Sequence, residues 1–492
     1  MRASPIALCR VTMWAFIALV VTTTIADADL WGHLRFGLDV LASKSLHTSD
    51  PYSFTADRPW INHEWLSELL MAGAYATLGS LGLGLLKVAT IGIVFTTLAA
   101  TAREEHARPL ARDLFIALAV FVSYSRTQVV RPQLFSVAVF CTILYLLRQA
   151  DRGRPKALWF VPLCFVAWAN LHGGWIVGVA VLGVWIAGDW LEQPTLNRAV
   201  MLASVGLLSI AATLINPYGL GLWQFVMETV RPARPDITDW KPLLQLPPAV
   251  LAIEAILPVV ALAAWWKSRA LYRPVARDLA VLALLTIATF RVGRVDAFLQ
   301  VAIAFVLARP ILALFNSLDF NLRPSLTRES TAVAVLAACL ALYVGAAAVR
   351  NLRVIRVEGY WIPDRTAAML LRDARPGAKI LTWFDWGEYA VWQLSPAGIR
   401  VSMDGRRETV YSDRVTQDHQ RFYAGNLDMV DYPDRIGADH VWLPSNFPMI
   451  EPLTRNGWAK VLDTGKSVVL ARNGTPIEHR PVAEGDKIFP WP

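Results

Sequence analysis

Cysteine is nearly absent: Cys9, Cys141, Cys164 and Cys339 are the only four in 492 residues, and none lies after position 350. Each sits in or beside an apolar run, which excludes a disulfide framework or a cysteine-based zinc spacing in the polar C-terminal part. Charge is also scarce. Asp, Glu, Lys and Arg make up 17% of the chain against 55% apolar residues, a balance too hydrophobic for a water-soluble enzyme. The formal net charge of +8 does not point to nucleic acid, because Lys and Arg gather in short loops between apolar runs. No nucleic-acid partner is expected.

What is present is a series of apolar runs of bilayer length. They lie near 8–26, 64–100, 113–125, 132–149, 157–170, 174–190, 199–215, 250–267, 279–291, 296–314 and 331–349. Without water to satisfy backbone groups, such runs form helices, and the second is long enough to hold an interfacial helix ahead of its span. Basic residues mark alternate loops: Arg103, Arg108 and Arg112; Arg152, Arg154 and Lys156; Arg198; Lys267, Arg269, Arg273 and Arg277; Arg323 and Arg328. With those loops cytoplasmic, the residues after Arg350 lie outside, in a bacterial inner membrane facing the periplasm. Positions 11–28 also carry signal-peptide features, ending in Ala26-Asp-Ala28. The segment is read as a retained first helix, because the loop after it uses Asp27.

After Arg350 the pattern changes to short buried strands at 378–383, 399–403, 440–443 and 467–471, with helices at 387–394 and 450–456. The expected fold is therefore an all-α polytopic membrane domain of about eleven transmembrane helices over 1–349, followed by a small α/β outer domain over 350–492. The first outer loop spans 27–63.

Polar chemistry collects on the outer side. The first outer loop opens Asp27-Ala-Asp-Leu-Trp-Gly-His33 and closes Asn62-His-Glu-Trp-Leu-Ser-Glu68. Asp27 and Asp29 could hold a divalent cation such as Mg²⁺ or Mn²⁺, or one could act as a general base. His33 shares a face with Asp29 if the stretch is helical. The other outer turns hold Arg126 and Arg131, Asn170 and His172, Asn216-Pro-Tyr-Gly219, Asp239-Trp-Lys-Pro242, and Arg294. Polar groups at the hydrocarbon edge are costly unless they have a task, and an arginine fork suits phosphate. Plainer roles exist for each: helix caps for Asn170 and His172, snorkelling for Arg131 and Arg294, and a structural carboxylate for Glu254.

These motifs resemble bacterial membrane proteins of the GT-C glycosyltransferase superfamily, in particular those grouped with the dolichyl-phosphate-mannose mannosyltransferases. The likeness runs from the Asp-x-Asp-Leu-Trp-x-His-Leu opening through Arg131-Pro-Gln, Asn170-Leu-His-Gly-Gly and Asn216-Pro-Tyr-Gly to the outer domain. It implies a lipid-linked sugar donor, a glycan, lipid or protein acceptor, and membrane lipids around the chain. By position it makes Asp29, with Asp27, the catalytic acidic pair, His33, His63 and Glu64 its neighbours, and Arg131 and Arg294 the phosphate ligands. Two departures stand out. Gly32 occupies a position where an aromatic residue is common, which would widen the pocket, and Asp239-Trp-Lys-Pro replaces a more usual Glu-Trp. Competing readings are a flippase for lipid-linked saccharides and a non-catalytic envelope assembly protein. The first would favour internal repeats, which the sequence lacks. The second would act through the Asp385-Trp-Gly-Glu388 and Asp404-Gly-Arg-Arg407 turns, which also read as ordinary strand-to-helix turns.

Overall fold

An apolar run with no water at hand closes its backbone hydrogen bonds within itself, and the runs read above are helices in the computed structural model. The structure describes residues 5–230, 240–318, 328–358, 364–472 and 488–490; Asp239 lies outside them. Helices cover Pro5–Thr22, Pro109–Val122, Gln133–Asp151, Val161–Leu171, Trp175–Glu192, Leu196–Ala212, Ala276–Arg291 and Arg328–Leu352. The long second run splits at Gly79 into Trp65–Leu78 and Ser80–Glu104. Pro248–Glu254 and Ile256–Ser268 abut at Ala255, and Gly293–Val306 meets Ala308–Asn316 at 62°. Among the described residues five helices are long and apolar enough to span a bilayer, or six with the bent pair as one, so a count of eleven does not follow from helix length. Helices that were not expected include Leu30–Ser43 inside the first outer loop, Leu220–Val230 after the Asn216 turn, and Arg365–Arg372 and Asp413–Tyr423 in the C-terminal segment.

Two compact units emerge, and both cross the boundary drawn at 349/350. One contains Met1–Thr24 and Gly84–Arg353; the other contains Ile25–Leu83 and Val354–Pro492. The first outer loop therefore folds with the C-terminal segment.

In the helical unit, acidic partners meet the basic loops at one end. Arg277 pairs with Asp151 at 2.7 Å and with Asp189, which also takes both arms of Arg198 at 2.6 Å. Arg148 reaches Asp278 at 3.0 Å. These pairs join helix ends that the alternation of basic loops assigns to one side. Outward faces carry Leu163, Leu207, Val259, Leu262 and Leu342, all exposed. Large apolar side chains on so many outward faces suit a lipid surround.

The second unit is built on a five-stranded sheet in the order Arg400–Val401, Lys379–Thr382, His440–Pro444, Ser467–Arg472, Trp458–Asp463. The first three strands are parallel, and Ser467–Arg472 runs antiparallel to both of its neighbours. Trp458–Asp463 escaped the sequence reading because its face is mostly open to solvent rather than a continuous apolar run. The first-loop segment extends the sheet at Arg400–Val401. Phe54 donates its N–H to the Val401 carbonyl at 3.0 Å, and Val401 donates to the Tyr52 carbonyl at 2.9 Å. Arg406 then pins the loop: it is buried, forks onto Asp50 at 2.8 and 2.9 Å, and lies 4.7 Å over both Phe36 and Trp60. Leu30–Ser43 packs between Trp65–Leu78 and Gly387–Leu394.

Candidate functional site

Each unit holds its own polar cluster. In the second unit, the two aspartates divide their work. Asp27 is buried and accepts the Leu30 N–H at 3.0 Å, a bond that caps the first turn of the Leu30–Ser43 helix. Asp29 stands at the N-cap position itself, yet its side chain makes no capping bond. It reaches instead toward the C-terminal segment. A Cβ built on Gly405 would stand 2.8 Å from Asp29 Oδ1 and 2.8 Å from Glu388 Oε1, so the two carboxyls flank one backbone position.

Glu388, named in the sequence only as part of a C-terminal turn, is the residue that the sequence reading did not join to the first outer loop. It is 4% exposed, and its Oε2 has no hydrogen-bond partner among the described residues. Burial, followed by the charge of Asp29, pushes its carboxyl well above the usual range, and His33 opposes that shift. Glu388 also explains Gly32. A Cβ there would overlap Glu388 Oε2 and Cδ and stand 3.0 Å from Glu388 Cβ. The missing side chain at 32 does not widen a pocket, as expected above; the Glu388 carboxyl fills that space.

His33, on the same helix, is buried and holds Glu68 Oε1 at 3.2 Å through Nδ1, with Glu64 Oε2 at 3.9 Å. Asn62 donates to Glu68 Oε2 at 2.5 Å, and its own carbonyl accepts the Glu64 N–H at 3.1 Å. His63 lies 3.5 Å from Glu64 Oε1. Glu68 and Asn62 were quoted with the motif but given no role. Burial works against charge on His33, but the Glu68 hydrogen bond and the carboxylates of Glu64 and Glu388 outweigh it and raise the imidazole to about 10. His33, Glu64 and Glu68 are also the one group of three potential metal ligands among the described residues, their donor atoms within 4.8 Å of one another. Neither Asp27 nor Asp29 belongs to it. A divalent ion would have to displace the His33 proton, so any binding would strengthen with pH.

A raised histidine has a stability consequence with a definite sign. The folded state holds the proton more tightly than the unfolded one, so the stabilisation is complete below about pH 6.5 and lost as pH rises toward about 10. Melting temperature should fall across that window in the wild type and fall less steeply in His33→Gln. Parallel curves for the two proteins would show that His33 carries none of the effect.

In the helical unit, the outer-turn residues meet at the end opposite the ion-paired loops. His172 lies 2.7 Å from Ser136 Oγ through Nδ1 and 3.2 Å from Arg294 Nη2 through Nε2. Asn170 takes the plainer role: its amide donates to the carbonyls of Val166 at 2.8 Å and Ile215 at 2.7 Å, joining two helix ends. Asn216 folds its own turn, donating to Thr213 O at 2.7 Å and accepting the Tyr218 N–H at 2.7 Å. Arg126, Arg131, Gln133, Glu254 and Arg294 line a cavity of about 330 Å³. Arg126 approaches Asp296 at 3.3 Å and Glu254 at 3.4 Å, and Gln300 donates to Asp296 at 3.1 Å, so Glu254 is a buried, partnered carboxylate as expected. A second, almost wholly apolar cavity, walled by Ile91, Val94, Phe95 and Leu98, shares Arg126, Leu134, Val137, Glu254 and Ala297 with the first.

No family profile and no curated protein matches this sequence. Solved structures do match in fold. ArnT from Cupriavidus metallidurans bound to undecaprenyl phosphate aligns at a TM-score of 0.53 and 12% identity, over 95% of this chain and 98% of that one. Its apo state aligns at 0.50 and 12%, over 94% and 97%. A mutant of the arabinofuranosyltransferase AftD from Mycobacteria aligns at 0.51 and 16%, over 96% of this chain, which spans only 42% of AftD. At these identities the likeness shows a shared fold, that of ArnT and of the part of AftD that this chain spans.

Proposed function

We propose that this protein is a membrane glycosyltransferase that moves a sugar from a polyprenyl-phosphate donor to an envelope acceptor on the outer face of the bacterial inner membrane. The observation that carries the reading is the pair of adjoining cavities in the helical unit. One is lined by three arginines, of which Arg126 is paired with Glu254 and Asp296, and the other mostly by aliphatic and aromatic side chains beyond Arg126 and Glu254, a combination that suits a phosphate joined to a prenyl chain. The GT-C fold, and the undecaprenyl phosphate bound to ArnT, support the same chemistry.

The reaction needs few parts. The acceptor oxygen attacks the anomeric carbon, the bond from that carbon to the phosphate oxygen breaks, and polyprenyl phosphate leaves with the electron pair. The acceptor proton must go to a base, and the departing phosphate needs positive charge. Asp29 is the assigned base, because Asp27 is committed to its helix turn. Arg131 and Arg294 are assigned to the phosphate. A divalent cation is not required by this scheme; His33, Glu64 and Glu68 are the side chains that could hold one.

With labelled polyprenyl-phosphate sugars and crude envelope acceptors, the purified full chain should transfer label. Arg131→Ala and Arg294→Ala should each raise KM for the donor by about tenfold or more, as expected for one charged hydrogen bond lost from a phosphate. Unchanged donor KM in both variants would remove the phosphate from this end of the helical unit.

A further inference from the structure

The arginines of the helical unit are not all held in the same way. At the end with the basic loops, Arg277 meets Asp151 at 2.7 Å and Arg198 meets Asp189 at 2.6 Å, the separation of a fully formed charged hydrogen bond. Arg126, at the opposite end, meets two carboxylates through one nitrogen, Asp296 at 3.3 Å and Glu254 at 3.4 Å. Both acids are buried, whereas Arg126 keeps 27% of its side chain accessible. Gln300 ties the acids together. Its amide donates to Asp296 Oδ1 at 3.1 Å, to Glu254 Oε2 at 3.3 Å and to the Glu254 carbonyl at 2.7 Å.

Arg126 and Glu254 line both cavities, the arginine-rich one and its apolar neighbour. In the reading above, the phosphate of the carrier lies where those two spaces join. A guanidinium there has two claimants, the phosphate and the acids, and what it gives to one it withdraws from the other. The acids themselves can only repel a phosphate.

The reaction changes the charge at this point. A polyprenyl-phosphate sugar is a phosphodiester with one negative charge. Breaking the bond between the anomeric carbon and the phosphate oxygen leaves the electron pair on that oxygen. The product is then a monoester, which loses its second proton near about pH 6. Substrate and product thus share a prenyl chain and differ by one negative charge. A site built of arginines alone would hold the product more tightly than the substrate, and each turnover would wait on release.

We infer that Glu254 and Asp296 set the charge selectivity of the phosphate site: by offsetting Arg126 they suit it to a singly charged diester and favour release of the doubly charged product. The inference rests on the polyprenyl-phosphate reading and gives two buried acids a task beside an arginine-lined cavity. Arg131 and Arg294 keep their assignment to the leaving phosphate.

The test compares two ligands on the full chain in lipid nanodiscs at about pH 8, where a phosphate monoester is doubly charged. One is undecaprenyl phosphate, and the other is its methyl ester, which carries a single charge. The wild type should bind the monoester no more tightly than the methyl ester. Glu254→Gln/Asp296→Asn keeps the shape of both side chains and removes the carboxylates. Monoester affinity should then rise about tenfold or more and methyl-ester affinity about threefold, because one potential acts on two charges in the first case and on one in the second. Asp296→Asn alone repeats the comparison should the double variant fold poorly. In transfer assays, added undecaprenyl phosphate should inhibit the double variant at an about tenfold lower concentration than the wild type. A loosened structure does not produce a selective gain of this kind.

Tighter binding of the monoester by the wild type, equal factors for the two ligands, or no gain for the monoester overturns the inference and leaves the donor reading standing. No binding of either ligand by the wild type removes both.

Discussion

Asp29→Asn is expected to lower sugar transfer by a factor on the order of 10² to 10⁴, the range for losing a general base, with donor KM close to the wild-type value. The reason lies in how the two neighbouring aspartates are used. Asp27 Oδ1 accepts the Leu30 N–H and holds the helix start, a task asparagine performs nearly as well. Asp27→Asn should therefore cost less than about threefold. Asp29 makes no capping bond, and its carboxyl sits across Gly405 from the Glu388 carboxyl. Initial rates at saturating donor, with melting curves to confirm folding, separate the two variants. Equal losses in both would mean that the loop acts only through its shape.

Gly32→Ala is expected to destabilise the second unit by about 1–3 kcal/mol, as overpacking of a filled site does. The methyl group would overlap the Glu388 carboxyl and reach within 3.0 Å of Glu388 Cβ, so rotating the carboxyl alone does not make room. The whole side chain must swing away, or the Leu30–Ser43 and Gly387–Leu394 helices must part. In a Glu388→Ala background the same Gly32→Ala change should be nearly neutral, giving a coupling of at least about 1 kcal/mol in the double-mutant cycle. Denaturation midpoints in mild detergent would show it. If Gly32→Ala costs the same with and without Glu388, this contact is not what requires glycine. Because Glu388 also lies beside Asp29 and helps hold the proton on His33, the single variant should disturb transfer as well as stability.

The helices were legible because their cause is local. An apolar run such as 133–151 or 175–192 announces itself without knowledge of its neighbours, and the basic residues between runs announce which ends lie together. The pairs Arg277–Asp151 and Arg198–Asp189 carry out that alternation in side chains. The parallel strands at Lys379–Thr382 and His440–Pro444 were legible for the same reason, being short apolar runs bounded by turns.

What was not legible depends on residues hundreds of positions apart. Arg406 reaches Asp50, and Glu388 reaches the space above Gly32, yet no periodicity in either segment records the pairing. The turns holding Glu388 and Arg406 read either as ligand loops of the C-terminal segment or as ordinary strand-to-helix turns, because neither carries a mark of the distant loop it meets. Gly32 was the only visible trace, a side chain missing where an aromatic is common, and without Glu388 it suggested an empty pocket. The motif around His172 was visible, but its Ser136 partner was not, since a serine in an apolar helix carries no mark of its use. Leu220–Val230 was overlooked because Asn216-Pro-Tyr-Gly reads as a stop and eleven residues are too few to span a bilayer.

The most direct test of the central claim is label transfer by the purified chain reconstituted in lipid vesicles, with radiolabelled polyprenyl-phosphate sugars as donors and crude envelope as acceptor. The account predicts label in the acceptor fraction from at least one donor, with release of polyprenyl phosphate in equal amount. No transfer from any donor, by protein that melts cooperatively and binds undecaprenyl phosphate, would contradict it and leave a lipid-phosphate-binding protein that is not a transferase.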